Sequence, residues 1–229
     1  MRLHQLEALE RKCNSCLIVY MIEISLYSKH NIQEGFTFLS RKDEKLAKLI
    51  ISNPNFSLSK RCMGFKALLK TIISQQLSTS AANSIWTRIT KNNLTSSLNI
   101  LKADHQLLLS LGLSRQKCIY VKELAKQNIN YGDLNLSSSE EVINRLTKIK
   151  GIGKWTAEIY CLFSLGHANV FPSGDLALQE SIKVLFNFQV RPSEKEVVKI
   201  SENWNPWKSL AAHLLWDHYR KIKKKDRND

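Results

Sequence analysis

A chain of 229 residues is long enough for one or two compact units with a buried core. Its 34 Lys and Arg against 20 Asp and Glu leave a net charge of +14, a surplus that favours a polyanionic partner, either nucleic acid or a membrane surface. A membrane span is not expected, because the longest uninterrupted apolar run, residues 16–22, ends at Glu23, far short of the ~20 residues needed; no small-residue cleavage site follows it, so a signal peptide is not expected either.

Residues 1–42 are the least readable part. The start, MRLHQLEALERK, looks helical, whereas CLIVYMIEISLY reads as a strand or as a buried helix, and both readings stay open; an upstream extension with Met21 as the true beginning is conceivable. Cys13 and Cys16 form a lone C-x-x-C. With no second pair it is a poor zinc site, and no metal is expected. Together with Cys62, Cys118 and Cys161 they make five scattered cysteines, a pattern that fits a reducing interior better than a disulfide framework.

From Asp43 the pattern turns helical, with Leu46, Leu49 and Ile50 on one side, until Asn53-Pro54-Asn55 breaks it. Phe65, Leu68, Leu69, Ile72 and Ile73 then run at helical spacing to Ser74-Gln75-Gln76, after which Ser78 and Thr79 can cap SAANSIWTRIT. Two more helices follow around DHQLLLSLG and SRQKCIYVKELAKQNIN. Gly112 ends the first, Ser114 caps the second, and Cys118, Val121, Ala125 and Ile129 form a buried stripe. Arg115 and Lys117 read as solvated charge, with phosphate contact as the sharper alternative.

Ser137 and Ser138 stand three residues before Glu140 and Glu141, at capping-box spacing, and Val142, Leu146 and Ile149 recur at helical intervals. Gly151 and Gly153 make a tight turn into a second helix whose Ala157 and Cys161 share a face. Such a turn lets the backbone approach another molecule closely, and the N–H groups opening the second helix suit a phosphate. Lys148, Lys150 and Lys154 add positive charge. Beyond Gly166, the loop HANVFPSGD leads to Asp175, which opens LALQESIKVLF and reads either as a plain N-cap or as a catalytic acid. Ser193 and Glu196 are spaced as a capping box for another helix. The last block, NWNPWKSLAAHLLWDHYRKIKKKDR, places Trp207, Leu210, Ala211, Leu214 and Leu215 on one face, and neither His213 nor His218 is assigned a role. With helix following helix and no hairpin-type strand pairs, the fold class is all-α.

The run Ile149, Lys150, Gly151, Ile152, Gly153, Lys154, Trp155, Thr156, Ala157, with Asp175 downstream, resembles the helix-hairpin-helix (HhH-GPD) DNA glycosylases, especially the 3-methyladenine DNA glycosylase II (AlkA-like) branch. FKALLKTIISQQLSTSAANSIW resembles that family's first core helix and the loop entering the minor groove, LGLSRQKCIYVKELA its helix before the hairpin, and the last block its final helix. The likeness spans residues 43–220. It implies two helical lobes with the active-site cleft between them: residues 1–64 packing with the C-terminal lobe, a core lobe over 65–166 ending in the hairpin, and a C-terminal lobe over 167–229. In the N-terminal segment there is room for at most a remnant of the sheet domain that relatives often carry.

The same resemblance makes Asp175 the catalytic carboxylate and Gln76, with Gln75 beside it, the residue filling the hole left by a flipped nucleotide. Trp155 and Trp216 would stack on the base, while Trp204 and Trp207 pack structurally. Lys150, Gly151, Gly153, Lys154 and Thr156 would bind DNA. In bifunctional members the Trp155 position is a lysine that forms a Schiff base, which an indole cannot do, so the activity implied is hydrolysis of the N-glycosidic bond without strand cleavage. The partner is double-stranded DNA containing damaged bases, the protein a cytoplasmic, DNA-associated monomer without cofactor; no cysteine follows Cys161 to hold an iron–sulfur cluster. A non-catalytic DNA-binding module and a glycosylase for oxidised bases are the alternatives. Three departures stand out: Lys150 replaces the usual proline, and Leu176 and Ile159 occupy positions where broad-specificity relatives carry aromatics, which points to a less aromatic pocket and a narrower range.

Overall fold

The computed structural model describes residues 24–225 apart from Asn55 and Ser59. The helical-looking start, most of the ambiguous apolar segment, Met21, Cys13 and Cys16 lie outside these residues. Among the described residues the secondary structure is helical, and the only bridge of β type is a single antiparallel one between Ser25 and His167.

The helices sort into two hydrophobic clusters. The first is built on α3 (Phe65–Ser74), α4 (Thr79–Lys91), α5 (Ser97–Lys102), α6 (His105–Ser110) and α7 (Arg115–Lys126), followed by α8 (Tyr131–Leu136), α9 (Ser139–Leu146) and α10 (Lys154–Tyr160). Leu68, Leu69, Ile72, Ile73, Ile89, Cys118, Val121 and Ala157 are fully buried in it. The second joins the two ends of the described chain: α1 (Lys29–Lys42) and α2 (Glu44–Ile51) pack on α11 (Leu176–Phe186), α12 (Glu194–Glu202) and α13 (Lys208–Lys225) through Leu39, Leu46, Leu178, Ile182, Trp204, Leu210 and Leu215. Truncating one such leucine to alanine costs about 2–5 kcal/mol, so each cluster backs its half of the cleft firmly.

Local chemistry sets most helix starts. Ser78, Ser114 and Ser138 each accept from the backbone N–H three residues on, and Ser193 with Glu196 completes a reciprocal capping box. Trp204 and Trp207 are buried as expected. Three differences stand out. α1 occupies residues read as illegible, and its polar sequence, which buries only Gly35 and Leu39, explains why; α5 and α8 are six-residue helices too short to show a period. α7 ends at Lys126, so Ile129 flanks the core from a loop rather than extending the stripe.

The segment crossing from one cluster to the other carries Asp175. After α10 the chain widens into a π-turn, Cys161–Leu165, and stops at Gly166 in the left-handed region, φ 79°. The buried Ser209 of α13 then pins the crossing. Its hydroxyl accepts from Val170 N at 3.1 Å and donates toward the carbonyls of His167 and Val170, at 2.7 and 2.9 Å, while Gln179 Nε2 donates to Ser173 O at 2.9 Å. A loop tied at both ends in this way presents its acid in one place.

Candidate active site

A cleft of 1160 Å³ opens between the two clusters. One wall is the hairpin, residues 147–156, with Gln75, Gln76, Lys117 and Tyr120; the other is Gly174, Asp175, Leu176, Ala177 and Tyr219. Hairpin, the loop of Gln75 and Gln76, and the acid, 100 residues apart at the extremes of Gln75 and Asp175, therefore meet in one space.

Asp175 caps α11, and it also faces the cleft. Its Oδ1 accepts from Ala177 N at 3.0 Å and Leu178 N at 3.1 Å, the bonds of an ordinary N-cap. Two indoles supply the rest: Trp155 Nε1 donates to Oδ2 at 2.9 Å, and Trp216 Nε1 donates to Oδ1 at 3.2 Å. Four N–H groups thus converge on a half-buried acid, three on Oδ1 and one on Oδ2, which leaves Oδ2 a free lone pair.

Trp155 is half-buried and lines the cleft, so its edge orients the acid while the ring remains part of the wall. Trp216 departs from expectation. It is absent from the cleft lining; Phe163 stacks on it with ring centroids 5.3 Å apart, and Arg61 lies 4.0 Å from the Phe163 ring. Its link to the site is the bond to Asp175, which makes it a support for the acid. Tyr219, one helical turn further along α13, reaches the cleft instead, with Lys223 Nζ 5.9 Å from its ring. His213 packs edge-on against Phe163 and Trp216 with its Nε2 buried and unpartnered, and burial, with Arg61 and Arg220 nearby, pushes its pKa down to about 3.

In the hairpin, Gly151 and Gly153 differ. Gly151 stands at φ 96°, and a Cβ there would lie 2.2 Å from Tyr120 Cγ, so only glycine fits. Gly153 has ordinary angles and nothing within 4 Å of its would-be Cβ, which leaves open space beside the turn. Lys148 and Lys150 are exposed. Lys154 is committed differently: its ammonium lies 3.2 Å from Glu194 and 3.7 Å from Glu158. Burial opposes its charge, but these two acids outweigh that and hold its pKa above the ordinary value. Glu158 itself is nearly buried, and desolvation pushes its pKa up to about 7 despite Lys154. Thr156 is buried, and its hydroxyl accepts from Gln75 Nε2 at 3.0 Å at the edge of the cleft.

Gln76 is exposed at the tip of the loop between α3 and α4, with φ 55°, and Leu77 beside it is also exposed. Gln75 turns inward. Lys117, read from its sequence context as solvated, donates instead to the carbonyls of Ile73 and Gln75. Sequence reasoning missed Phe163, Tyr219, Glu158 and Ser209. Only Tyr219 had a readable signal, three residues beyond Trp216 on one helical face.

Among the described residues no group of three or more His, Cys, Asp or Glu is placed to hold a metal ion, and no helix is long and apolar enough to cross a membrane.

Comparison with known proteins bears directly on this arrangement of two helical lobes with a glycine hairpin and one acid in the cleft between them. Residues 69–206 match the family model of the HhH-GPD superfamily base excision DNA repair protein. DNA-3-methyladenine glycosylase 1 of Schizosaccharomyces pombe is 33% identical over 191 residues, covering 78% of this chain and 83% of that protein. The structure of the S. pombe 3-methyladenine DNA glycosylase in complex with abasic DNA superposes with a TM-score of 0.74 at 30% identity, covering 80% of this chain and 95% of that one. The 3-methyladenine DNA-glycosylase of Archaeoglobus fulgidus gives a TM-score of 0.75 at 27% identity, covering 97% and 77%. The chain belongs to the HhH-GPD superfamily of base excision DNA repair proteins, in its 3-methyladenine DNA glycosylase branch.

Proposed function

We infer that this protein is a monofunctional DNA glycosylase that excises alkylated bases of the 3-methyladenine and 7-methylguanine type from double-stranded DNA, acting as a monomer. The observation that carries this reading is the cleft in which Asp175 is held by the indole N–H of Trp155, with no lysine at the hairpin position that a lyase needs.

Hairpin and exposed lysines grip phosphates without reading sequence. The damaged nucleotide swings out, and Gln76 enters the emptied stack. The base comes to rest against the Trp155 ring, whose electron-rich face attracts a cationic methylpurine by roughly 1–2 kcal/mol once water is excluded. As the bond from C1′ to the purine nitrogen lengthens, its electron pair leaves with the base, which becomes neutral, and positive charge gathers on the sugar. Asp175 faces that charge across a short gap and steers the incoming water, which adds to C1′ and releases its proton to solvent. Products are the free methylpurine and an abasic site. Because the alkylated purine leaves readily, a single carboxylate suffices.

Incubating the protein with methylated duplex DNA and separating the released bases tests this. Free 3-methyladenine or 7-methylguanine is expected; DNA binding without release would instead indicate a non-catalytic module, and release of oxidised purines alone would indicate the other glycosylase class.

A further inference from the structure

The loop that carries Gln76 is restrained by contacts that neither hydrophobic cluster requires. Helix α3 stops at Ser74, leaving carbonyls without partners in its own last turn. Two carbonyls at this end, those of Ile73 and Gln75, each lie 2.6 Å from the ammonium of Lys117 on α7. Lys117 is half-buried, and it gives up hydration to serve them. The side chain of Gln75 then reaches the other way. Its Nε2 donates to Gly151 O and to Thr156 Oγ1, both at 3.0 Å, and both acceptors belong to the hairpin. Immediately after this junction Gln76 stands at φ 55°, a backbone conformation that a non-glycine residue keeps when its surroundings hold it there.

We propose that Gln75 and Lys117 are positioning residues that lock the Gln76 loop to the hairpin, so that gripping the phosphates and filling the emptied stack are carried out by one rigid piece. This rests on the excision reading above. Gln75 is the joint between the two DNA-contacting parts, and Lys117 fixes the end of the helix from which the loop departs. Once the hairpin settles on the backbone, Gln76 stands at a set offset from the nucleotide to be expelled, with no search of its own. If either tie is cut, the hairpin still binds, but the plug arrives late or misplaced, and misplacement on the scale of an ångström costs on the order of 10²-fold in rate.

The test uses the full chain with Gln75→Ala, Gln75→Glu, Lys117→Met, Lys117→Arg and Gln76→Ala, assayed in single turnover on methylated DNA, duplex and single-stranded. Gln75→Ala and Lys117→Met should lose on the order of 10–10²-fold on duplex, and at least about ten times less on single strands, where no stack needs filling. Gln75→Glu should behave as Gln75→Ala, since a carboxylate offers no donor to Gly151 O. Lys117→Arg should recover the duplex rate, because a guanidinium can serve both carbonyls. Equal losses on the two DNAs, or a duplex rate left intact, would overturn the proposal. A second readout needs no catalysis: 2-aminopurine placed opposite an abasic-site analogue should change its fluorescence with wild type and Lys117→Arg, but not with Gln75→Ala or Gln76→Ala. A wild type that frees no methylpurine yet gives that fluorescence pattern would remove the function and keep the lock. A response retained by Gln75→Ala, with Gln76→Ala silent, would remove the lock.

Discussion

Trp155 and Asp175 are joined by a hydrogen bond of 2.9 Å from indole Nε1 to carboxylate Oδ2. The chain contains the same device a second time: Asp43 caps α2 through Oδ1 and accepts Trp204 Nε1 on Oδ2 at 3.0 Å. There the indole is fully buried and the pair only fastens α2 to the C-terminal helices. What separates the two is the cleft beside Asp175 and the second indole, Trp216, that donates to it.

Asp175→Asn keeps an oxygen for the cap of α11 but carries an amide where Trp155 also donates. Base excision in single turnover should fall by at least ~10²-fold, the scale seen on removing an electrostatic stabiliser. Binding to DNA holding an abasic-site analogue, measured by anisotropy, should stay close to wild type, because the charge proposed to grip phosphate lies on the hairpin. An unchanged excision rate would remove Asp175 from the chemistry.

Trp155→Phe preserves a flat ring and deletes the N–H that orients the acid. Excision should drop by about 10-fold, with the abasic product still free of cleavage. Borohydride treatment of wild type with abasic DNA should trap no covalent adduct, because no amine stands at this position. A trapped band would show a lyase and end the monofunctional reading.

The two hairpin glycines should separate folding from binding. Gly151→Ala collides with Tyr120 and demands a left-handed angle, so it should lower the melting temperature, with a cost of about 1–3 kcal/mol. Gly153→Ala meets no protein atom, so thermal stability should hold while DNA affinity falls. Loss of affinity with Gly151→Ala alone would mean that DNA does not approach the open side.

Glu158 provides a pH test. Burial raises its pKa from 4.5 to about 7, with Lys154 opposing and Glu194 reinforcing the shift. The folded chain therefore holds a proton that the unfolded chain releases near 4.5. Stability from this group falls as pH rises through that window, and the penalty is complete above about 7. Glu158→Gln should raise stability more at pH 8 than at pH 5, by about 1–3 kcal/mol, compared by thermal melts at the two values. An equal change at both would show that the carboxyl is ionised throughout.

Helices and their caps were legible because their causes are local. Ser78, Ser114, Ser138, Asp175 and Ser193 each lie within three residues of the N–H they serve, and the apolar period of α3 or α13 is written in consecutive turns. The helix at 29–42 was missed for the converse reason, as its stability comes from packing on α2 and α13. Side chains with long-range partners were the least legible: Lys117 looked solvated but serves two carbonyls, and Trp216 looked like a pocket wall but stands behind the acid.

By itself the sequence determined an all-α chain, a strongly basic composition, a glycine hairpin, and the acid and indole on which the proposed chemistry rests. Tertiary structure alone decided that both indoles hold the acid while Trp155 and not Trp216 lines the cleft, that Gln75 is bound to Gly151 and Thr156 while Gln76 is left outside, and that Lys154 is shared with two acids. A period or a cap reflects bonding between neighbours in the chain, whereas these roles depend on which groups distant in sequence come within about 3 Å, and that follows only from how the two clusters close on each other.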